Sequence, residues 1–584
     1  MVAMYIDIVP NRSSPPAVLL RESYREGGKV KKRTIANLTG LPDHMIDALR
    51  AALKGEAVSR HQAVTNPRQS LTLEDGRQHG AAAAIVAFMR RLGLERLIAG
   101  RSSRERSVVM AMVVDRLLHG DSKLATARHC HAATAATSLG FILELEDLSE
   151  QDCYKAMDWL LERKPAIEQR LVARHVTPGS AVLYDLSSSY FEGHTCPLAR
   201  YGYSRDHRSD LMQVNYGLYC ADDGTPVAVD IMPGNHGDRL AFPEAVRRTQ
   251  TEFGCTEVVF IGDRGMISGT VINELLRGLD GAQWITALAN PTIRRLEQDG
   301  TIQPSLFDDY ELASIIHPDF PDERLIVCRN PALAHERARK RQELLEATED
   351  RLRAIQQRVE NPRARLHGAD RIGVEVGTVI NRKKVGKHFI ITITDTSFTF
   401  QRDHDKIAAE AALDGIYVIR TSLSQDRMSD AETVAHYKNL ARVERAFRTL
   451  KSIDVRVRPI HHRNADRVRA HIFICMLACH VEHAMRARLA PLLFEDEHPQ
   501  SRTEDSIVAP ALRSEQARAK DASRMTEDGF PVASFRDVLD ALGGIVRARC
   551  RFEGFHEAPF YTISRPSPYQ ARILKLLGVT LAAV

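Results

Sequence analysis

Between Ser180 and Ala289 the chain runs through three strand-like stretches, a helix, a strand, a helix and a strand, and this order restricts the fold more than any other segment. SAVLYDLSSSYFEG, LMQVNYGLYCAD and TPVAVDIMPG are rich in β-branched, aromatic and apolar residues, the composition of strands on a buried sheet. Asp222-Asp223-Gly224 supplies a hairpin turn between the second and third. A helix is predicted from Asp238 to about Glu252, followed by the strand EVVFIGDRG, the helix GTVINELLRGL and the strand AQWITALA. The order β-β-β-α-β-α-β builds a mixed α/β sheet in which the first and fourth strands are expected to be neighbours. Asp185 lies on the first and Asp263 ends the fourth. Each follows apolar residues, Val182-Leu183-Tyr184 and Val259-Phe260-Ile261, the arrangement by which a strand leaving a core delivers a carboxylate to its rim. Two carboxylates held together repel, and a divalent cation relieves the repulsion.

A third carboxylate comes from SDAETVAHYKNLARVERAFRTLK, Ser429 to Lys451. Ser429 with Glu432 three residues on is a capping-box signature, and neither Pro nor Gly occurs between there and Lys451. At about 100° per residue, a spacing of seven returns to within about 20° of the same line. Tyr437, Glu444 and Lys451 therefore form one stripe, with Leu440, Phe447 and Arg448 beside it. A surface helix with spaced charges is the alternative reading of this stretch. If the stripe faces the sheet, Glu444 adds an oxygen ligand to Asp185 and Asp263. Mg²⁺ prefers such oxygen sites, and two ions can activate a hydroxyl and stabilise the leaving oxygen in an in-line phosphoryl displacement.

The remaining segments divide the 584 residues into several domains. Residues 1–56 read as a basic β-hairpin, turning at Glu26-Gly27-Gly28, plus a short helix opened by Pro42-Asp43. A polar linker is expected near 57–78. Residues 78–176 have a helical pattern throughout, an all-α block suited equally to DNA binding and to packing. The catalytic domain takes 178–290 and 429–490; an α+β insertion at 291–428 interrupts it, with a charged helix from Ala334 to about Glu360 and the strands RIGVEVGTV, KHFIITITD and GIYVIRTSL. Residues 500–584 form a C-terminal tail. Net charge is only +5, so charge alone does not establish a nucleic-acid partner, although basic residues cluster at Arg25 to Arg33 and in Arg337 to Arg341. Nine scattered cysteines fit a reducing compartment. The opening MVAMYIDIVPNR lacks the regions of a secretion signal, and the most apolar run, Ile472 to Cys479, is too short for a bilayer. A cytoplasmic protein, with no membrane partner, is expected.

YDLSSSYFEG, GYSRDHRSDLMQVNYGL, PGNHGDR, GDRGM and the Tyr-x6-Glu-x6-Lys of the closing helix together resemble insertion-sequence transposases of the DDE type. More narrowly, they resemble the subgroup with a β-containing insertion before the catalytic glutamate. The resemblance runs from the N-terminal hairpin to PSPYQARILKLLGV. It implies an RNase H-like catalytic domain with Asp185, Asp263 and Glu444 as the catalytic, metal-holding triad, and two Mg²⁺ ions for which Mn²⁺ can substitute. It also implies DNA contacts from Tyr437, Arg448 and Lys451. Expected partners are terminal inverted repeats, target DNA and a second copy of the chain in a synaptic complex, in a prokaryotic cytoplasm and on the nucleoid when DNA-bound. The family often places Arg four residues before the glutamate; here that residue is Leu440. Arg442 lies about 160° around the helix from Glu444, whereas Arg448 is one turn on and faces the same way.

Other constellations carry less. Asp222 and Asp223 suit a turn, and Asp206, Asp210, Asp230 and Asp238 are minor metal candidates. His471, Cys475, Cys479 and His483 span about 18 Å of helix, too far for one tetrahedral ion. No P-loop is present. The expected activity is metal-dependent cleavage at element ends with strand transfer into target DNA. The alternatives are an RNase H-like DNA nuclease without strand transfer and a catalytically idle DNA-binding derivative.

Overall fold

The computed structural model describes residues 3–11, 15–55, 71–307, 311–361, 366–497, 513–552 and 559–581. The chain forms two compact units, one of residues 1–88, 127–149 and 537–584, the other of 89–126 and 150–536.

In the first unit, β1 (Ala3–Val9), β2 (Ala17–Glu26) and β3 (Lys29–Asn37) form an antiparallel sheet. Gly27 and Gly28 join β2 to β3 with φ of +58° and +79°. A two-residue turn that needs left-handed backbone at both positions is the reason glycine stands at each. The helix Asp43–Leu53 follows. Of the expected linker, residues 57–70 lie outside the described residues, and 71–78 form a strand instead, β4 (Leu71–Gln78).

The second unit is built on an eight-stranded mixed sheet. Its strands are β5 (Ala181–Tyr190), β6 (Gln213–Ala221), β7 (Pro226–Pro233), β8 (Val258–Ile261), β9 (Ala282–Ala287), β10 (Leu312–Ile315), β11 (Arg324–Arg329) and, after two further strands, β14 (Ile416–Thr421). The order across the sheet is β10-β11-β14-β9-β8-β5-β6-β7. Only the β5–β8 and β8–β9 pairs are parallel. Every residue of β6 is buried, which explains its unbroken apolar and aromatic run. Gly217 on β6 has the Tyr184 ring directly over it, and a Cβ there would lie 2.0 Å from the Tyr184 hydroxyl. The helices Glu150–His175 and Ala465–Leu489 pack against β7 and each other. Ile472 to Cys479 are buried all round the second of these helices, so its apolar character marks core.

Within residues 291–428, β10, β11 and β14 extend the main sheet rather than standing apart as an inserted body. Residues 293–320 pack on β11 and β14 through Ile293, Leu296 and Phe320, while residues 331–411 fold around their own core. There the helix Pro331–Glu360 packs with the helix Ala369–Lys383 and the hairpin of β12 (Phe389–Ile393) and β13 (Phe398–Arg402) through Leu352, Ile355, Ile372, Val376 and Phe398. The expected strand RIGVEVGTV is therefore a correction: it lies inside a helix. Its β-branched residues suggest a strand, but Ile372 and Val376 are one turn apart, and that spacing buries both on one face.

The first unit is completed by β15 (Val546–Phe552), which pairs with both β4 and β16 (Phe560–Ile563), so much of the expected tail is folded. The expected all-α block is likewise divided, residues 127–149 belonging to this unit. Among the described residues no helix is long and apolar enough to cross a membrane.

Candidate active site

The β5–β8 register brings the first two carboxylates together. Leu183 pairs with Ile261, and Asp185 and Asp263 each lie two residues further along. Asp185 is half-buried on the strand, and its Oδ1 accepts a 2.7 Å bond from the Leu186 amide. Burial pushes its carboxyl up to about 7, and the neighbouring Asp263 and Glu444 charges act in the same direction against the Leu186 amide and Arg205. Asp263 is exposed in the turn after β8, where its Oδ1 accepts the Gly265 and Met266 amides at 2.9 Å each. The GDRGM motif is thus a loop folded around its own aspartate.

The closing helix begins at Ser429 with a complete capping box to Glu432. Arg324 on β11 fixes its approach, donating to the carbonyls of Leu423 (3.1 Å) and Met428 (2.7 Å) and pairing with Asp430. The helix is interrupted for one residue at Asn439, giving Asp430–Lys438 and Leu440–Arg448, and then widens into a π-turn over Thr449–Ile453. The seven-residue stripe is accordingly not one straight line. At the interruption, Asp222 accepts from Asn439 Nδ2 at 3.0 Å and pairs with His436 at 2.9 Å, while Arg442 donates to the Asp222 carbonyl at 2.7 Å. Asp222, expected only to make a turn, ties the β6–β7 hairpin to this helix.

Asp185, Asp263 and Glu444 line one cleft of about 730 Å³ together with Arg205, Asp206, Asp238, Arg448, Lys451 and Arg458. Phe447 forms part of the floor and packs on Tyr216 beneath. Tyr437 is half-buried and outside the cleft lining; burial raises its phenol, and the Asp263 and Glu444 charges add to this against Arg264. Lys451 reaches the cleft through a protein partner: Asp206 Oδ1 takes Lys451 Nζ at 2.9 Å and Arg458 Nη1 at 2.5 Å. Asp206 is 2% exposed, and its Oδ2 has no hydrogen-bond partner among the described residues. Arg205 pairs with Asp238 at 2.6 Å and stacks on the exposed Tyr203. Tyr203, Arg205 and Arg458 were not singled out from sequence; the first two fall inside the GYSRDH motif, while Arg458 carries no local signal. Asp210 pairs with Arg208 and Asp230 with Arg248, and neither lines the cleft. His471 and Cys475 contact each other in the core, and Cys479 faces the Ala446 carbonyl.

The His436–Asp222 pair gives a pH dependence of known sign. The hydrogen bond to Asp222 raises the His436 imidazole above its usual value, burial opposing. Burial pushes the Asp222 carboxyl up, but the His436, Asn439 and Arg442 side chains outweigh it and hold it low. A raised histidine contributes stability that is full below about pH 6.5 and lost as pH climbs through its folded value; a depressed aspartate contributes above about pH 3.9 and loses it below. Both side chains are partly exposed, so the effect is under about 1 kcal/mol. Thermal unfolding between pH 6 and 8 is expected to show wild type losing more stability than Asp222→Asn; equal losses would remove this pair as the cause.

Comparison with known proteins adds a family. A family model described as a transposase DDE domain matches residues 178–480, more than half of the chain. A second, described as the N-terminal domain of IS1634 family transposases, matches residues 6–67. No curated protein matches the chain. Among solved structures, a piggyBac transposase synaptic complex with hairpin DNA is similar at 8% identity and a TM-score of 0.33, over 74% of this chain and 76% of that one.

Proposed function

Because this chain belongs to the DDE transposase family of insertion sequences, acting in DNA transposition, we propose that Asp185, Asp263 and Glu444 are the residues that cut the element end and join it to target DNA. The observation that carries the reading is the convergence of these three carboxylates, from two parallel neighbouring strands and the closing helix, on one cleft rimmed by cations. The catalytic core is read as RNase H-like, with residues 331–411 as the insertion.

The donor set fits divalent metal. All three side chains offer hard oxygen ligands, which suit Mg²⁺ or Mn²⁺. The burial that raises Asp185 is a cost that a bound cation would offset. When bound, such ions supply activation of the attacking hydroxyl and neutralisation of the leaving oxygen. The protein's own part is to position: the Asp263 turn holds its carboxylate by two amides, Arg324 and Asp222 hold the helix that carries Glu444, and Arg448 meets a phosphate near the scissile bond. Lys451 and Tyr437 support that contact. The DNA partners are the terminal inverted repeats and the target, held by two copies of the chain. A nuclease that stops at cleavage remains the second reading.

Incubating the full chain with a labelled element end, a target plasmid and Mg²⁺ tests this. Cleavage plus joined product is expected; cleavage without joining supports the nuclease, and neither product in any divalent metal contradicts both. Arg448→Ala is expected to slow cleavage about 10- to 100-fold, the value of a charge-assisted phosphate contact. Arg442, held at the Asp222 carbonyl, should change the rate little when replaced by Ala. Equal small effects from the two would remove Arg448 from the DNA path.

A further inference from the structure

A second basic cleft lies outside the catalytic one, where the 331–411 region meets the main sheet. It measures about 450 Å³ and lies between the helices Asn290–Gln298, Pro331–Glu360 and Ala369–Lys383. Arg337, Lys340 and Arg341 enter it from the long charged helix. Lys383, Lys384 and Lys387 enter from the end of the next helix and the turn after it, and Arg294 from a third side. Against these cations the lining holds two carboxylates, Glu410 and Asp414.

Both carboxylates are already committed. Asp414 is paired with Arg341, and Glu410 takes Lys387, His388 at 3.0 Å and Arg294 at 3.7 Å. Lys340 pairs with Glu336 on its own helix, and Arg337 donates to the Leu413 carbonyl at 3.5 Å with its charge also acting on Asp414. Lys383 and Lys384 take part in no ion pair among the described residues; the first is half-buried and the second exposed. Lys384 sits in the left-handed C-cap of its helix, φ +56°, which turns the chain so that the neighbouring lysines and Lys387 gather at one helix end. A concave surface with this excess of positive charge focuses the field outward and attracts a polyanion. Among the described residues no Phe, Tyr or Trp lines it, so the lining favours contact with a phosphate backbone over stacking of bases. Lysines act as point charges toward phosphate.

We infer that this cleft binds the phosphate backbone of duplex DNA, a second contact region separate from the catalytic cleft. The inference rests on the assignment of this chain's function to DNA transposition. It accounts for the RARKR cluster of the long helix, whose charges the catalytic site does not use.

The test uses the full chain in EDTA, so that chemistry does not contribute. Binding to a random-sequence duplex is measured over a range of salt for wild type, Lys383→Glu/Lys384→Glu and Lys383→Arg/Lys384→Arg. A further variant reverses two exposed lysines outside the cleft, Lys155→Glu/Lys575→Glu. The cleft reversal is expected to weaken binding by about 10-fold or more and to make the salt dependence shallower by up to about 2 in slope, about 0.9 for each phosphate no longer neutralised. The arginine pair should bind as wild type, and the reversal outside the cleft lining should weaken binding much less. An equal thermal melt for the cleft reversal excludes misfolding. Unchanged affinity and slope in the cleft reversal, or an equal weakening in the Lys155→Glu/Lys575→Glu variant, would overturn the inference. Failure of wild type itself to bind any duplex would instead overturn the transposase reading.

Discussion

Asp185→Asn, Asp263→Asn and Glu444→Gln are each expected to lower single-turnover cleavage of an element end by about 10³-fold or more, with end binding in EDTA retained. The size comes from removing a ligand from a metal site that supplies several kcal/mol of transition-state stabilisation, at about 1.36 kcal/mol per tenfold. On the proposed role the three residues share one task, so double variants should be little worse than singles. Asp263→Asn is the most informative, because Asp263 is exposed and an amide oxygen can still accept from Gly265 and Met266. The loop should keep its shape while losing the charge. Cleavage within a few-fold of wild type in any one variant would remove that residue from the site.

The second large effect is on stability. Asp206→Ala is expected to destabilise the protein by about 3 kcal/mol, the low end of what removing one partner of a buried ion pair costs. The low end applies because Arg458 and Lys451 keep 26% and 12% of their side-chain exposure and can turn toward the cleft, whereas Asp206 keeps 2%. Lys451→Met should cost less, since Arg458 still faces Asp206 on the same oxygen. Denaturant unfolding of the two variants reads the difference directly. An Asp206→Ala midpoint equal to wild type would mean that this cluster does not hold the cleft wall. Lys451 thus has a structural partner in Asp206, and under the proposed DNA contact its replacement should lower cleavage as well as stability.

Much of the candidate site was legible because its signals are local. Apolar residues before Asp185 and Asp263 mark strands leaving a core, and the β-β-β-α-β order makes those strands neighbours, as the Leu183–Ile261 pairing shows. The Ser429–Glu432 box fixes the start of the closing helix within one turn. The features that sequence did not disclose depend on partners far apart in the chain. Residues 71–78 look like a polar linker because their strand character comes from pairing with β15, more than four hundred residues away. Asp206 meets Lys451 across a separation of 245 residues, and Asp222 meets Asn439 across 217. The helix Ala369–Lys383 departs from expectation for a different reason: its valines and isoleucines favour strands by type, and packing against the long helix Pro331–Glu360 overrode that preference. The break at Asn439 and the π-turn at Thr449 are likewise tertiary features laid over a sequence that suits one unbroken helix.

If Asp185, Asp263 and Glu444 hold metal, a change of ligand chemistry at one of them changes which metal supports cleavage. Thiolate is a softer donor than carboxylate and suits Mn²⁺ better than Mg²⁺. Cleavage of a labelled element end is therefore measured for Asp263→Cys and Asp263→Ala in each metal. Asp263→Cys is expected to be inactive in Mg²⁺ and to regain cutting in Mn²⁺, while Asp263→Ala stays inactive in both; wild-type cutting by either variant in Mg²⁺ would mean that Asp263 does not hold the metal.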